Sequence, residues 1–322
     1  MAFGELYGHE KAIAILKNAM ANNRIAHAYL FYGMEGIGKR TVASLFARAL
    51  NCEGDPPPCD ACASCRKAQH QNHPDIITIT AEGQFIKIGA VKELQEQMKF
   101  RPREGRRRVF IVPEADRMNA AAANALLKTL EEPSAGNILL LTTSRPHALP
   151  VTILSRCQHL RFTPLPREEV DRYLREKESL DGEAAAVLAA SSGGSIGRAL
   201  AMKHDDWLSV RNGIIEHLSE DNPTDPLRRL AFAGRFGTER EEILEGLEIL
   251  RTCYRDAMVF RETQDAGRLI FQDRTALIQA VAGRLSGRSL LNNLATVEAA
   301  MGAIDQNANK TLTLETMAIN LA

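Results

Sequence analysis

The stretch 31-FYGMEGIGKRT-41 sets Gly33, Gly38 and Lys39 on the phosphate-loop pattern G-x-x-x-x-G-K-[ST]. In such a loop the backbone N–H groups and the following helix N-terminus hold phosphates, and the lysine reaches the β/γ oxygens. That makes Gly33, Gly36, Gly38 and Lys39 the candidate nucleotide contacts. The next position should offer a hydroxyl to Mg²⁺, but it holds Arg40, whose guanidinium only donates. Thr41 comes one residue late, about 100° further round a helix. A second metal contact normally comes from an acidic residue closing a buried strand. In 109-VFIVPEAD-116 that place holds Pro113. Glu114 follows, where ATPases of this kind carry a water-polarising glutamate, and Asp116 lies too far along to replace the missing carboxylate. Phosphoryl transfer relies on the metal to hold the β- and γ-phosphates in line and neutralise developing charge. With its Mg²⁺ ligands degenerate, the loop predicts little or no hydrolysis. It leaves either ATP binding without turnover or a mere strand-to-helix connection.

Cys52, Cys59, Cys62 and Cys65 follow the spacing C-x₆-C-x₂-C-x₂-C. Four thiolates close a tetrahedral structural Zn²⁺ site with no open position for water, so the prediction is structural and not catalytic. Gly, Asp, three prolines and small polar residues between them read as a loop built around its metal. An iron–sulfur cluster is the rival, since the x₂ spacing is shared with ferredoxin runs. The upstream position of the fourth cysteine favours zinc. His70 and His73 are alternative ligands, placed in the loop before the next strand. Cys157 and Cys253 read as ordinary thiols.

The elements that must position these groups follow from periodicity. Residues 9–23 read as a helix, 28–33 as a strand into loop, and 39–52 as an amphipathic helix. Then come a strand at 75–81, a helix at 89–100, a buried strand at 108–112, an alanine-rich helix at 118–133, a strand at 137–144 and a short strand at 157–162. Strands alternating with helices predict an α/β parallel sheet covered on both faces. Pro164 and Pro166 mark a boundary. Beyond it, short helices at 167–204 and a helical bundle at 205–322 are expected, with the stripe Leu244, Leu247, Leu250 and Cys253 as core. Forty basic and forty acidic residues cancel, so nucleic acid or membrane attraction would need a local patch. No basic leader precedes an apolar run, and no apolar run nears the roughly 18 residues of a membrane span. A cytoplasmic protein without membrane contact is expected.

The order of phosphate loop, four-cysteine insertion, 73-HPD-75, 124-NALLKTLEEPS-134 and 155-SRC-157 resembles the bacterial clamp-loader ATPases. These subunits of DNA polymerase III open the sliding clamp and place it on primed DNA. The resemblance covers the first 200 residues with specific motifs and continues to 307-NANKTLTLE-315. It implies an AAA+ (RecA-like P-loop) domain over 1–165 with a four-cysteine zinc module at 52–65. It also implies a small helical lid over 166–205 and a helical collar over 206–322. The implied partners are the gamma/tau and delta subunits in a hetero-pentamer, with the sliding clamp and primed-template DNA met through that complex. Two kinds of subunit share the motifs, the gamma/tau motor and delta-prime. Arg40 and Pro113 depart from the motor in the direction delta-prime takes. The motor's sensor arginine would align at Gly197, with Arg198 one place later. Arg156 matches the arginine finger that reaches the neighbouring subunit's ATP site in trans. Thr143, with Thr142 beside it, matches the sensor position closing the third central strand.

The reading is a largely non-hydrolysing component of a nucleotidyltransferase holoenzyme. An active gamma/tau-type ATPase is the alternative, and an unrelated zinc-containing nucleotide-binding protein acting on nucleic acid the second. The run 101-RPREGRRR-108 is the densest basic stretch. It lies before a buried strand and lacks interleaved aromatics, so it reads as a solvated loop.

Overall fold

The computed structural model describes residues 3–204, 207–219 and 226–321. The expected boundary between lid and collar, at 205/206, lies outside the described residues. By contacts the chain divides into two compact units, Met1–Tyr173 with Gly193–Arg198, and Leu174–Ser192 with Ala199–Ala322.

The first unit runs α1 (Glu10–Ala21), β1 (Ala28–Tyr32), α2 (Lys39–Leu50), α3 (Ala63–Gln69), β2 (Ile76–Thr78), α4 (Ile88–Met98), β3 (Arg108–Val112), α5 (Ala120–Glu131), β4 (Asn137–Thr143), α6 (Val151–Leu154) and β5 (Gln158–Arg161). The strands form one parallel sheet in the order β2-β3-β4-β1-β5. Every residue of β3 and β4 is buried, which explains their unbroken apolar runs. Side chains alternate between faces along each strand. Tyr29 and Phe31 join the core beneath α1 and α2, while Ala28 and Leu30 join the core beneath α4 and α5. The strand expected over 75–81 shortens to Ile76–Thr78, at one edge of the sheet.

Among its described residues the regular elements of the second unit are all helices. It holds parts of α7 (Arg167–Glu178) and α9 (Ile196–His204), together with α8 (Gly182–Ser191), α10 (Trp207–Ser219), α11 (Pro226–Ala233), α12 (Arg240–Thr263), α13 (Thr275–Arg284), α14 (Gly287–Asp305) and α15 (Lys310–Asn320). Of the expected stripe, Leu247, Leu250 and Cys253 are core residues of α12, and Ile243 is buried where half-exposed Leu244 was expected. No helix among the described residues is long and apolar enough to cross a membrane.

Candidate nucleotide and metal sites

A parallel sheet offers ligands its C-terminal edge, where the strands end and the helices begin. Here β1 ends into the phosphate loop, with Gly33 N–H donating to the Thr143 carbonyl of β4 at 3.2 Å. The loop turns through Gly36 at φ 71° and Gly38 at φ 99°, left-handed conformations that residues with a Cβ rarely adopt. Lys39 is buried at the first turn of α2. Its Nζ donates to the Gly33 and Met34 carbonyls at 2.7 Å each, so the ammonium is tied back onto the loop. Burial lowers its pKa, opposed by Glu35, Asp116 and Glu114. Arg40 and Thr41 are both exposed on α2.

Asp116 lies closer to this site than its sequence position implies. A 3-10 turn, Ala115–Arg117, carries it back to the sheet edge, and its side chain is buried. Thr143 Oγ1 donates to its Oδ1 at 2.6 Å, and Arg145 donates to its Oδ2 at 2.9 Å. The carboxylate is therefore already neutralised by an arginine and bound by a hydroxyl. Glu114 stands at φ 49°, exposed, with its carboxylate paired to Arg117 at 2.7 Å. Thr142 Oγ1 accepts the Glu114 N–H at 3.4 Å, a long contact.

The position where the motor's arginine would align is physically closed. Gly197 N–H donates to the Gly36 carbonyl at 2.8 Å, and Ser195 Oγ donates to the Glu35 carbonyl at 2.9 Å. A Cβ at Gly197 would stand 2.7 Å from the Gly36 Cα, and one at Gly36 would stand 2.4 Å from Ser195 Oγ. No side chain fits at 197 while the loop keeps this place. His9 was missed from sequence. It holds φ 62°, and its Nε2 lies 2.6 Å from the Ile37 carbonyl, which can only accept, so that nitrogen carries the proton. Burial lowers the His9 pKa.

Arg156 follows α6 on the same chain unit. Its Nη2 donates to Glu131 of α5 at 2.8 Å and its Nη1 to the Thr152 carbonyl at 3.1 Å. The pair is 35% and 52% exposed, and such surface pairs contribute only about 0–1 kcal/mol. The guanidinium is lightly tethered.

The four cysteines come together as their spacing predicts, with all four sulfurs within 4.8 Å of one another. A tetrahedron with bonds of about 2.3 Å has edges of about 3.8 Å, so small adjustments close it on a metal ion. Backbone N–H groups of Gly54 and Cys59 donate to Cys52 Sγ, Cys62 N–H to Cys59 Sγ and Cys65 N–H to Cys62 Sγ, at 3.3–3.4 Å. Donors aimed at sulfur suit thiolates. The N–H groups of Ala61 and Cys62 bring Cys59 down to about 6, whereas burial pushes Cys65 up to about 12. The donor set fits a closed, four-sulfur metal site. The segment is not all loop, because α3 starts within it, capped by the Cys62 sulfur accepting from Cys65 N. His70 and His73 are outside the cluster. His73 Nε2 is 3.1 Å from Ser64 Oγ, and its Nδ1 accepts the Asp75 N–H at 3.1 Å.

A phosphate loop leaving the inner strand β1 of a five-stranded parallel sheet, with the Thr143 hydroxyl closing β4 and the Asp116 carboxylate returned to it by the turn after β3, defines a P-loop α/β protein. Residues 8–166 match the family profile described as "DNA polymerase III, delta subunit", and residues 205–322 match its C-terminal counterpart. DNA polymerase III subunit delta-prime of Bacillus subtilis is 31% identical over 93% of this chain and 92% of its own. Subunit tau/gamma of Haemophilus influenzae is 36% identical over 62% of this chain and 30% of its own length. A solved gamma-subunit-related protein from Thermotoga maritima aligns at TM-score 0.43 and 20% identity, covering 95% of this chain and 97% of that one. The strand order, not that alignment, defines the fold. The chain belongs to the delta-prime family of bacterial DNA polymerase III clamp-loader subunits.

Proposed function

We propose that this chain is a largely non-hydrolysing delta-prime subunit that helps load the sliding clamp onto primed DNA. In this reading it joins gamma/tau and delta subunits in a cytoplasmic hetero-pentamer. Residues 1–165 are its AAA+ domain, 166–205 a lid and 206–322 the collar. The observation that carries the reading is the state of the phosphate site. Arg40 stands where the metal-binding hydroxyl belongs, Asp116 is bound by Arg145 and Thr143, and Gly197 is packed on Gly36 where a sensor arginine would need room. Gly33, Gly36, Gly38, Lys39 and Thr41, with Glu114 and Thr143, keep the outline of a nucleotide site without its metal ligands. Lys39 would have to leave two carbonyls to meet a phosphate.

Arg156 acts in trans on the adjacent subunit's ATP. Its exposed pairing with Glu131 supports this, because breaking that ion pair costs about 1 kcal/mol or less and leaves only hydrogen bonds to Thr152 and Ser155 to release. Cys52, Cys59, Cys62 and Cys65 hold a structural Zn²⁺ that ties the 52–65 segment to the end of α2. The test is magnesium-dependent ATP turnover by the purified chain, with nucleotide binding followed in the same sample. No turnover is expected, with or without binding. Turnover abolished by Lys39→Ala would make the chain a motor and overturn the reading.

A further inference from the structure

The N-terminal edge of the sheet, opposite the phosphate loop, carries a second constructed feature. Residues 101–107 form the basic loop into β3, and it is rigidly held. Asp75, fully buried, accepts the backbone N–H groups of Arg103, Glu104 and Gly105 at 2.8–3.0 Å. Asn51 brackets the other end, with Oδ1 accepting Arg107 N–H and Nδ2 donating to the Arg107 carbonyl, both at 2.9 Å. A Cβ on Gly105 would stand 2.5 Å from Asn51 Oδ1, so the loop is seated against that side chain. A loop merely dissolved in water has no need of a buried carboxylate and a buried amide to fix it.

What the loop displays is charge without partners. The side chains of Arg101, Arg103 and Arg106 are exposed, and among the described residues no carboxylate is bound to them. The loop's own acid, Glu104, is taken by Lys67 of α3, which joins α3 to the same surface; Arg66, the residue before Lys67, is exposed. Directly ahead of the run, Phe100 is 64% exposed. A helical pattern ending at residue 100 conceals this ring in the sequence, where the run itself holds no aromatic. Guanidinium forks match phosphate oxygens, and an exposed ring among them offers a stacking platform. That combination fits unpaired strands, whose bases are free to stack; a duplex keeps its bases from the ring.

We propose that loop 101–107, with Phe100 and the exposed Arg66 preceding Lys67 on α3, is a contact site for the phosphate backbone and an unstacked base of single-stranded nucleic acid. It lies on the opposite edge of the sheet from Lys39 and stands whether or not Arg156 acts in trans.

The test uses the full chain and a fluorescent oligo-dT of about 20 nucleotides, followed by anisotropy through a salt titration. Each phosphate contact on a single strand contributes about −0.7 to the slope of log affinity against log salt, so three or four contacts give roughly −2 to −3. Arg101→Gln/Arg103→Gln/Arg106→Gln should weaken binding at least tenfold and bring the slope to about −1 or flatter. Phe100→Leu should weaken it about tenfold with the slope unchanged, as expected for loss of one stacked base. An oligomer with abasic positions should show the same loss against the unaltered chain and no further loss against Phe100→Leu. Thermal melts of each variant check that the loop's anchors still hold. The proposal is overturned if the unaltered chain does not bind at low salt, or if the folded triple variant binds as well as the original. It is equally overturned if polyglutamate competes as strongly as oligo-dT while Phe100→Leu changes nothing, since that marks an acidic protein partner.

Discussion

Asp75→Asn is the substitution whose cost follows most directly from the structure. The carboxylate is fully buried and holds the N–H groups of Arg103, Glu104 and Gly105. Arg108, also buried, stands with Nε at 3.6 Å, too long for a hydrogen bond but close enough to balance the charge; its Nη1 is satisfied by the Gln97 carbonyl. Burial opposes ionisation, yet the three N–H donors and Arg108 outweigh it and hold the carboxyl below its ordinary value. An asparagine keeps one oxygen for the loop but turns its NH₂ toward Arg103 N–H or Arg108, donor against donor. The Arg103 N–H loses one of its two acceptor oxygens, all three loop bonds lose the charge that makes such bonds worth about 1.5–3 kcal/mol, and a buried arginine is left uncompensated. Removing one partner of a buried pair typically costs about 3–5 kcal/mol, and that is the expected loss. The assay is denaturant unfolding followed by far-ultraviolet circular dichroism, with hydrogen exchange at β2 and β3 amides. The single tryptophan, Trp207, belongs to the other unit and would not report it. Adding Arg108→Met should bring no further loss, because the stranded charge goes with it. A change below about 0.5 kcal/mol for Asp75→Asn would refute the reasoning.

Metal analysis of the purified chain should find one Zn²⁺ bound by four thiolates, and Cys59→Ser should abolish stable loading; full occupancy in that variant would remove Cys59 from the set. Acid should destabilise the first unit in two stages. Burial depresses His9, so its contribution is present above about pH 6.5 and fades as pH falls below it; Asp75 is also depressed, and its contribution fades further down, below about pH 4. Unfolding midpoints measured from pH 7 to 3 check this, and a flat profile would contradict it. Gly197→Arg should destabilise the phosphate loop and confer no turnover, because a Cβ there meets Gly36 Cα at 2.7 Å. Faster proteolysis of the loop without ATPase activity is the expected readout.

What the sequence made legible was whatever repeats at short range. The buried strands announce themselves as apolar runs because both their faces are covered, and the phosphate loop and cysteine quartet are dense local patterns. What it hid depends on folding back. Asp116 looks too distant until a 3-10 turn returns it to Thr143. The helix α3 is disguised because a cysteine sulfur serves as its N-cap in place of a usual Ser, Thr, Asp or Asn. The closure of Gly36 by Gly197 joins residues far apart in the chain, and neither glycine signals it alone. The basic run is exposed, as its composition suggests, but its anchors, Asp75 and Asn51, come from other elements and leave no mark in the run itself.

If this chain, inactive alone, acts on its neighbour's ATP through Arg156 as proposed, Arg156→Ala must slow the assembled complex. This is tested most directly by reconstituting the complex with gamma/tau and delta subunits and measuring DNA-stimulated ATP turnover with the original chain and with Arg156→Ala. An arginine finger is worth about 10³–10⁵ at the site it serves, so the substituted complex, intact by size-exclusion, should lose that site's share of turnover and load clamps more slowly. Glu131→Ala, which removes only the carboxylate partner of the guanidinium, should not reproduce the loss. An assembled Arg156→Ala complex turning over and loading at the original rate would contradict the account.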